Sequence, residues 1–420
     1  MLKKFCVLNF RVLLDEEMEF GTVNLFLGPN NCGKTTLIEA VHFLPRMVSK
    51  EIAPKRTAFL DFIDGNGWDE IPNRAQSSRS VKMKYTLDAP EWDNPLVYDM
   101  SFEAGQKLDI PHGFYISRES LMYENANEGY DQPFCFFKRE SPETGRFSVK
   151  RSGKKEFPPM ALERAESVFR QDEELLKNSG FRNELYPVFS DGLEKARESL
   201  GVFRSYSSTD IRLDLMRFAS KMEDEDRYLL FDGSNFARVL FSLKQKNEEY
   251  LNDLSEEASV FIKGLRGFSF DERSDGTVQL YCTINGSVFS LNELSDGTKK
   301  LLIHLFLLTS PLKMDALSLD EPELNLHPAW LGGLAGKILK AGSVSRQIFV
   351  STHSPDLLDG FTEAFRDGSK DLKIFVKGET SGKYAFKSVE PADLESFFEE
   401  GWELGDLYRV GEPLLGGWPF

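Results

Sequence analysis

Residues Gly28-Pro29-Asn30-Asn31-Cys32-Gly33-Lys34-Thr35 leave this chain the fewest choices of fold. They fit the pattern G-x-x-x-x-G-K-T. A short apolar run, Val23 to Leu27, precedes them, and a helical stretch from Thr36 to Met47 follows. Strand, glycine-rich turn and helix in that order make a phosphate cradle. The glycines let backbone N–H groups wrap anionic oxygens, and the helix N-terminus adds the positive end of its dipole. Lys34 is expected to reach the β- and γ-phosphates and Thr35 to ligate Mg²⁺, with Thr36 a neighbouring hydroxyl. An apolar run of this length suits a strand buried on both faces of a parallel sheet, so the feature points to an α/β fold.

Three further motifs lie towards the C-terminus. Ala316-Leu317-Ser318-Leu319-Asp320-Glu321 is a short apolar strand ending in two acids. Asp320 is expected to hold the metal, directly or through water, and Glu321 to orient or deprotonate an attacking water. Alone this is a weak signal, because many apolar strands end in acidic loops. Leu294-Ser295-Asp296-Gly297-Thr298 precedes an apolar helix and on its own reads as a helix N-cap with a turn. Ser351-Thr352-His353-Ser354-Pro355 closes another strand with one of only five histidines, so an imidazole there can meet a phosphate or a water. The order of the four motifs carries more information than any one of them.

The rest of the chain sets the frame. Val81 to Leu87, Leu96 to Phe102 and Phe114 to Ser117 read as strands of an antiparallel lobe, after a loop-rich crossing from Ile52 to Gln76. Met160 to Leu265 reads mostly as helices, including one run from Ser234 to Leu265. After Gly267, strands and helices alternate, which argues for a parallel sheet covered by helices. The division expected is 1–155, the first half of an α/β head with the antiparallel lobe; 156–266, a mainly helical insertion; and 267–420, the second half of the head with the tail. The 35 Phe residues can fill a large core.

Net charge is −16, which argues against a broad electrostatic grip on nucleic acid. Lys150, Arg151, Lys154 and Lys155 form the best local basic cluster, a pattern that usually marks a solvated loop. The four cysteines form no close pair, so no zinc or redox motif is visible. No leader and no run of membrane-span length is seen, so a cytoplasmic protein without a membrane partner is expected.

Taken together, the motifs resemble the RecF/SMC/OLD-like branch of ABC-type ATPases. The nearest likeness is to bacterial AAA/ABC ATPases with an LSDGT signature, a DEPE-x-x-LHP Walker B segment and a THSP switch, of the kind found in antiphage defence. Here these are Leu294 to Thr298, Asp320-Glu321-Pro322-Glu323 with Leu326-His327-Pro328, and Thr352 to Pro355. Asn9-Phe10-Arg11, Asp232-Gly233-Ser234-Asn235, Leu404-Gly405-Asp406-Leu407 and Gly416-Gly417 fit the same family.

The resemblance implies an α/β P-loop ABC-type ATPase head interrupted by a mainly helical insertion, with ATP and Mg²⁺ as cofactors. Glu321, His353 and Lys34 would be catalytic. Arg11, Asn30, Asn31, Cys32, Gly33, Lys34, Thr35 and Thr36 would bind ATP in one copy, and Ser295, Asp296 and Gly297 would act from the other. Thr35 and Asp320 would hold Mg²⁺. Leu324 to His327 would form the bridging D-loop, and Gln76 is the nearest candidate for the Q-loop glutamine. Cys32 stands where Gly, Ala or Ser is commoner, which makes the loop a candidate thiol-reactive spot. The implied assembly is a homodimer or higher homo-oligomer working with a separately encoded effector, nuclease or toxin. DNA repair or chromosome maintenance is the alternative, and nucleic acid is a candidate ligand in either case. Glu395, Glu399, Glu400 and Asp406 are too scattered to read as a metal cluster, so no nuclease domain is expected after His353.

Overall fold

The computed structural model describes residues 1–48, 70–74, 76–104, 114–151, 154–171, 192–217, 220–221, 228–368, 371–380 and 383–416. Most of the crossing expected over Ile52 to Gln76, and Gly417, lie outside them. The chain divides into two compact units. The first comprises Met1–Gly21, Pro29–Phe203 and Phe375–Ser388; the second comprises Thr22–Gly28, Arg204–Ile374 and Val389–Phe420.

The N-terminal segment runs β1 (Leu2–Phe10), β2 (Leu13–Glu19), β3 (Val23–Leu27) and α1 (Lys34–Val48). It continues with β4 (Val81–Leu87), β5 (Leu96–Ala104), β6 (Phe114–Tyr123), β7 (Cys135–Ser141) and β8 (Thr144–Phe147). A small hairpin of β9 (Val149–Arg151) and β10 (Lys154–Glu156) follows, then β11 (Pro159–Ala161). The basic cluster expected as a solvated loop therefore falls on paired strands.

The first unit is built on an eight-stranded sheet of order β11-β8-β7-β6-β5-β4-β1-β2, with antiparallel neighbours throughout. In β4 the first residues alternate between buried Val81 and Met83 and exposed Lys82 and Lys84, as one face on a core requires. Aromatic rings fill that core, with Phe5 and Tyr85 centroids 4.9 Å apart and Tyr98 and Phe169 5.2 Å apart. The Tyr85 hydroxyl donates to Ala40 O at 2.7 Å and accepts from Leu44 N at 3.3 Å, which pins α1 to the sheet.

Strand β2 was not evident from the sequence, because Asp15, Glu16 and Glu17 interrupt its apolar alternation. Its buried Glu16 is satisfied by an ion pair with buried Lys377 and by the Phe386 N–H at 2.7 Å.

The second unit adds β12 (Phe203–Ser207) and the two-residue strand β13 (Ser220–Lys221). Helices α2 (Phe236–Lys246) and α3 (Glu248–Ser259) come next, followed by β14 (Leu265–Glu272), β15 (Thr277–Ile284) and β16 (Ser287–Ser290). The single helix expected from Ser234 to Leu265 is thus broken. Asn247 leaves the helical region at φ −154° and its side chain accepts from Tyr250 N, starting α3 afresh. Within 156–266 the described residues also include strands, among them β12 in the main sheet.

The alternation expected after Gly267 is present as α4 (Asp296–Thr309), β17 (Ala316–Asp320), α5 (Pro328–Ala341) and β18 (Gln347–Ser351). Short helices α6 (Pro355–Asp359) and α7 (Thr362–Arg366) follow, then β19 (Leu372–Thr380), β20 (Lys383–Val389), α8 (Glu395–Glu399) and α9 (Leu404–Val410).

The main sheet has the order β12-β17-β18-β3-β19-β20. Strands β17, β18 and β3 are parallel and in register: Asp320 pairs with Ser351, and Ser351 with Phe26. Each is buried at every position, so only the strand ends can present chemistry. Among the described residues no helix is long and apolar enough to cross a membrane.

Candidate functional site

The phosphate-loop residues lie in the first unit, apart from Gly28. Gly28 and Gly33 have φ of 142° and 102°, conformations that favour glycine, and a Cβ on Gly33 would sit 2.8 Å from Val12 Cγ2. Cys32 N bonds Pro29 O at 3.3 Å and Leu37 N bonds Gly33 O at 2.8 Å, so the turn closes directly onto α1. Lys34 opens that helix, is largely buried, and donates to Pro29 O at 3.1 Å. Asn30, Asn31 and Thr35 are exposed and Thr36 half-buried.

Cys32 does not meet the expectation of a thiol-reactive spot. It is 6% exposed, and burial pushes its thiol up despite the nearby Lys34 ammonium, so it stays protonated. Arg11 is ion-paired with Glu39 of α1, and its guanidinium lies over the Phe10 ring. The Asn73 amide donates to Arg11 O at 2.5 Å, and exposed Gln76 donates its N–H to Asn73 O at 3.3 Å.

In the second unit, Asp320 ends β17 and accepts a short bond from the Ser351 hydroxyl at the end of β18. The next residue, Glu321, turns into the left-handed region at φ 51°, with its N–H held by Ser351 O at 3.0 Å and Ser351 Oγ at 3.2 Å. His353 Nδ1 lies 3.3 Å from Glu321 Oε1 and 3.6 Å from Glu323 Oε1. Glu323 is 8% exposed; its Oε1 accepts from Thr352 Oγ1 at 2.7 Å and His353 N at 3.1 Å. Burial pushes its carboxyl up, opposed chiefly by the bond from Thr352.

The signature segment is in the same unit. Ser295 caps α4, its Oγ accepting from Thr298 N at 3.2 Å, and stays exposed. Asp296 pairs with the buried Lys299 ammonium at 2.8 Å. A Cβ on Gly297 would meet Asn325 O at 2.6 Å, and buried Lys300 donates to Ser208 O at 2.9 Å and Leu324 O at 3.4 Å. The helix start and the 324–327 turn are therefore built as one piece.

Strain follows the motifs. Among the described non-glycine residues with positive φ, Asn9, Arg11, Asn31, Glu321 and Asn325 all belong to them; only Asn285, in the β15–β16 turn, does not. Sequence reasoning missed the roles of Ser351 and Glu323. The sequence offered only a second acid two residues beyond Glu321 and a serine before Thr352; burial and the pairing of β17 with β18 gave them their place.

The sequence matches two family models. Residues 1–178 match one described as AAA ATPase domain. Residues 203–359 match one described as AAA domain, putative AbiEii toxin, Type IV TA system. No curated protein matches. Among solved structures, an SMC head bound to the C-winged helix domain of ScpA is similar at 15% identity and a TM-score of 0.52, over 94% of this chain and 99% of that one. The chain has the fold of an SMC-head ATPase.

Two other SMC heads give lower scores. One, from Pyrococcus furiosus with an extended coiled coil and the C-terminal domain of ScpA, has 13% identity and a TM-score of 0.49 over 95% and 98% of the two chains. The other, from Thermotoga maritima, has 12% identity and a TM-score of 0.41 over 93% and 99%. The residues singled out by sequence lie in the glycine-rich turn before α1 and at its start, in the β1–β2 turn (Arg11), at or after the ends of β17 and β18, and at the start of α4.

Proposed function

We propose that the chain binds Mg²⁺-ATP and hydrolyses it, and that nucleotide drives pairing of two heads. The observation that carries this reading is the strand-end constellation. Asp320, Glu321 and His353 gather where β17 and β18 end, and neighbouring β3 ends at the same sheet edge before leading into the phosphate loop. The donor set fits the cofactors: an exposed hydroxyl at Thr35, an aspartate at Asp320, and a glycine-shaped turn with a helix N-terminus behind it. Thr35 and Asp320 would hold Mg²⁺, which would supply charge neutralisation at the β- and γ-phosphates when bound.

Lys34, Asn30, Asn31, Gly33 and Thr36 hold the phosphates, Cys32 contributes backbone, and Arg11 swings from Glu39 towards them. Glu321 takes a proton from water as it attacks the γ-phosphorus, the bond to the bridging oxygen breaks, and ADP leaves. His353 orients that water. Exposed Ser295 and Asp296, with half-buried Gly297, serve the site of a second copy, in a homodimer or a higher homo-oligomer.

The match to a model described by a toxin system supports a regulatory subunit in antiphage defence, acting with a separate nuclease or toxin. A second reading, an SMC- or RecF-like chromosome or repair ATPase, is favoured by the likeness to an SMC head bound to a winged-helix domain.

Glu321→Gln is expected to slow turnover by roughly 10²–10⁴-fold while ATP binding persists. Unchanged turnover removes Glu321 from its role. Ser295→Arg should block turnover yet leave nucleotide binding by the monomer intact. The Glu321→Gln protein, tagged and isolated with its genomic neighbours, separates the two cellular readings. A stoichiometric effector protein favours defence, and copurifying DNA with no such protein favours maintenance.

A further inference from the structure

We infer that Glu323 is a positioning residue for His353, an inference that rests on the proposed ATPase reading. Glu323 shares the turn that follows Glu321, yet its carboxylate is withdrawn from solvent. A buried carboxylate is costly unless its oxygens are engaged. Both side-chain bonds made here go to one place: Oε1 takes the Thr352 hydroxyl at 2.7 Å and the His353 N–H at 3.1 Å. The Thr352 oxygen in turn accepts from Ser354 N at 3.0 Å, so the carboxylate fixes residues 352–354 as a unit. That unit is the exit of β18, where the backbone sets the direction of the imidazole.

The ring itself lies between two acids, with Nδ1 3.3 Å from Glu321 and 3.6 Å from Glu323. Two carboxylates on that side favour a proton on Nδ1, which leaves Nε2 as an acceptor. Glu323 Oε2 and His353 Nδ1 have no hydrogen-bond partner among the described residues. Glu323 thus holds His353 in place and biases its tautomer without touching substrate.

The test uses the full chain with isotope-labelled histidine rings, His353 being assigned from the His353→Gln spectrum. Glu323→Ala should move the His353 ring signals and its nitrogen shifts away from the Nδ1–H pattern, while the remaining histidines keep theirs. Glu323→Gln retains an acceptor oxygen for Thr352 and His353, and should leave the ring position close to the parent. Turnover should follow: Glu323→Ala loses about 10²-fold in kcat at unchanged KM for ATP, and Glu323→Gln recovers most of that loss.

An unmoved His353 signal in Glu323→Ala overturns the inference. So does a general disturbance of all histidine signals with a lowered Tm, which marks a structural strut. A parent protein that hydrolyses no ATP sinks the ATPase reading, and the ring signals then still decide whether Glu323 positions His353.

Discussion

Two buried carboxylates, one in each unit, are handled in opposite ways. Glu119, on the antiparallel sheet, is saturated. It accepts from Tyr98 Oη and Ser167 Oγ at 2.6 Å each, from Val168 N at 3.0 Å, and from Arg139 at 3.2 and 3.3 Å. Arg139 spends its remaining donors on the carbonyls of Pro142, Glu163 and Glu166. Glu323, at a parallel strand end, has one oxygen without a hydrogen-bond partner among the described residues, beside a histidine whose Nδ1 is likewise without one there. Burial alone therefore does not mark a functional group in this molecule. Incomplete satisfaction does not mark one either, since His304 Nδ1 is likewise without a hydrogen-bond partner among the described residues; what sets Glu323 apart is its place beside His353 at a strand end.

The hardest way to break this contrast is to open the closed network. Glu119→Leu strands the Arg139 guanidinium, whose side chain is fully buried, and should cost about 3–5 kcal/mol in urea unfolding. The double variant Glu119→Leu/Arg139→Met should recover only the part due to the unpaired charge, since Tyr98, Ser167, Val168 N and the carbonyls of Pro142, Glu163 and Glu166 still lose their partners. A loss below about 1 kcal/mol for the single variant would mean the network is not what holds the lobe.

Buried histidines give a smaller effect common to both units. His42 on α1 and His304 on α4 are fully enclosed, and burial pushes each down to about 3 from an ordinary value near 6.5. A group with a depressed folded pKa contributes stability that is present above its unfolded pKa and lost as pH falls towards the folded one. Each histidine should therefore remove about 1.4 kcal/mol per pH unit below roughly pH 6.5. Buried carboxyls pushed up, such as Glu16, act with the opposite sign, so the variant rather than the raw slope is decisive. His42→Leu/His304→Leu should flatten the urea midpoint between pH 6.5 and 5. An unchanged slope would show that neither histidine stays neutral.

Much of this was legible from sequence where one local rule acts alone. The glycine-rich turn between apolar strand and helix, the acid-ended strand, and the three antiparallel strands at 81–87, 96–102 and 114–117 needed only pattern and spacing. What was missed depends on partners distant in the chain. Strand β2 hides its buried Glu16 because Lys377 neutralises it from far along the sequence. The β19–β20 hairpin that supplies Lys377 went unread for the same reason. Glu323 sat inside a recognised motif, but its bonds to residues 352 and 353 exist only once β17 and β18 pair. The thiol expected to be reactive at Cys32 failed because exposure, which decides reactivity, is not written in the motif.

The smallest effect sharpens the contrast most. Glu321 holds φ at 51°, which costs a non-glycine residue about 1 kcal/mol or more, yet its N–H remains bonded to Ser351. Glu321→Gly removes the Cβ penalty and keeps that bond, while the unfolded chain gains some freedom. The net expectation is a stability gain of about 0.5–1 kcal/mol together with loss of turnover. A closed network such as that of Glu119 offers no such gain, because every change there removes a satisfied bond. If Glu321→Gly instead destabilises the protein, the left-handed turn is held by the side chain itself, and the strand end would then be serving the fold in the way the antiparallel lobe does.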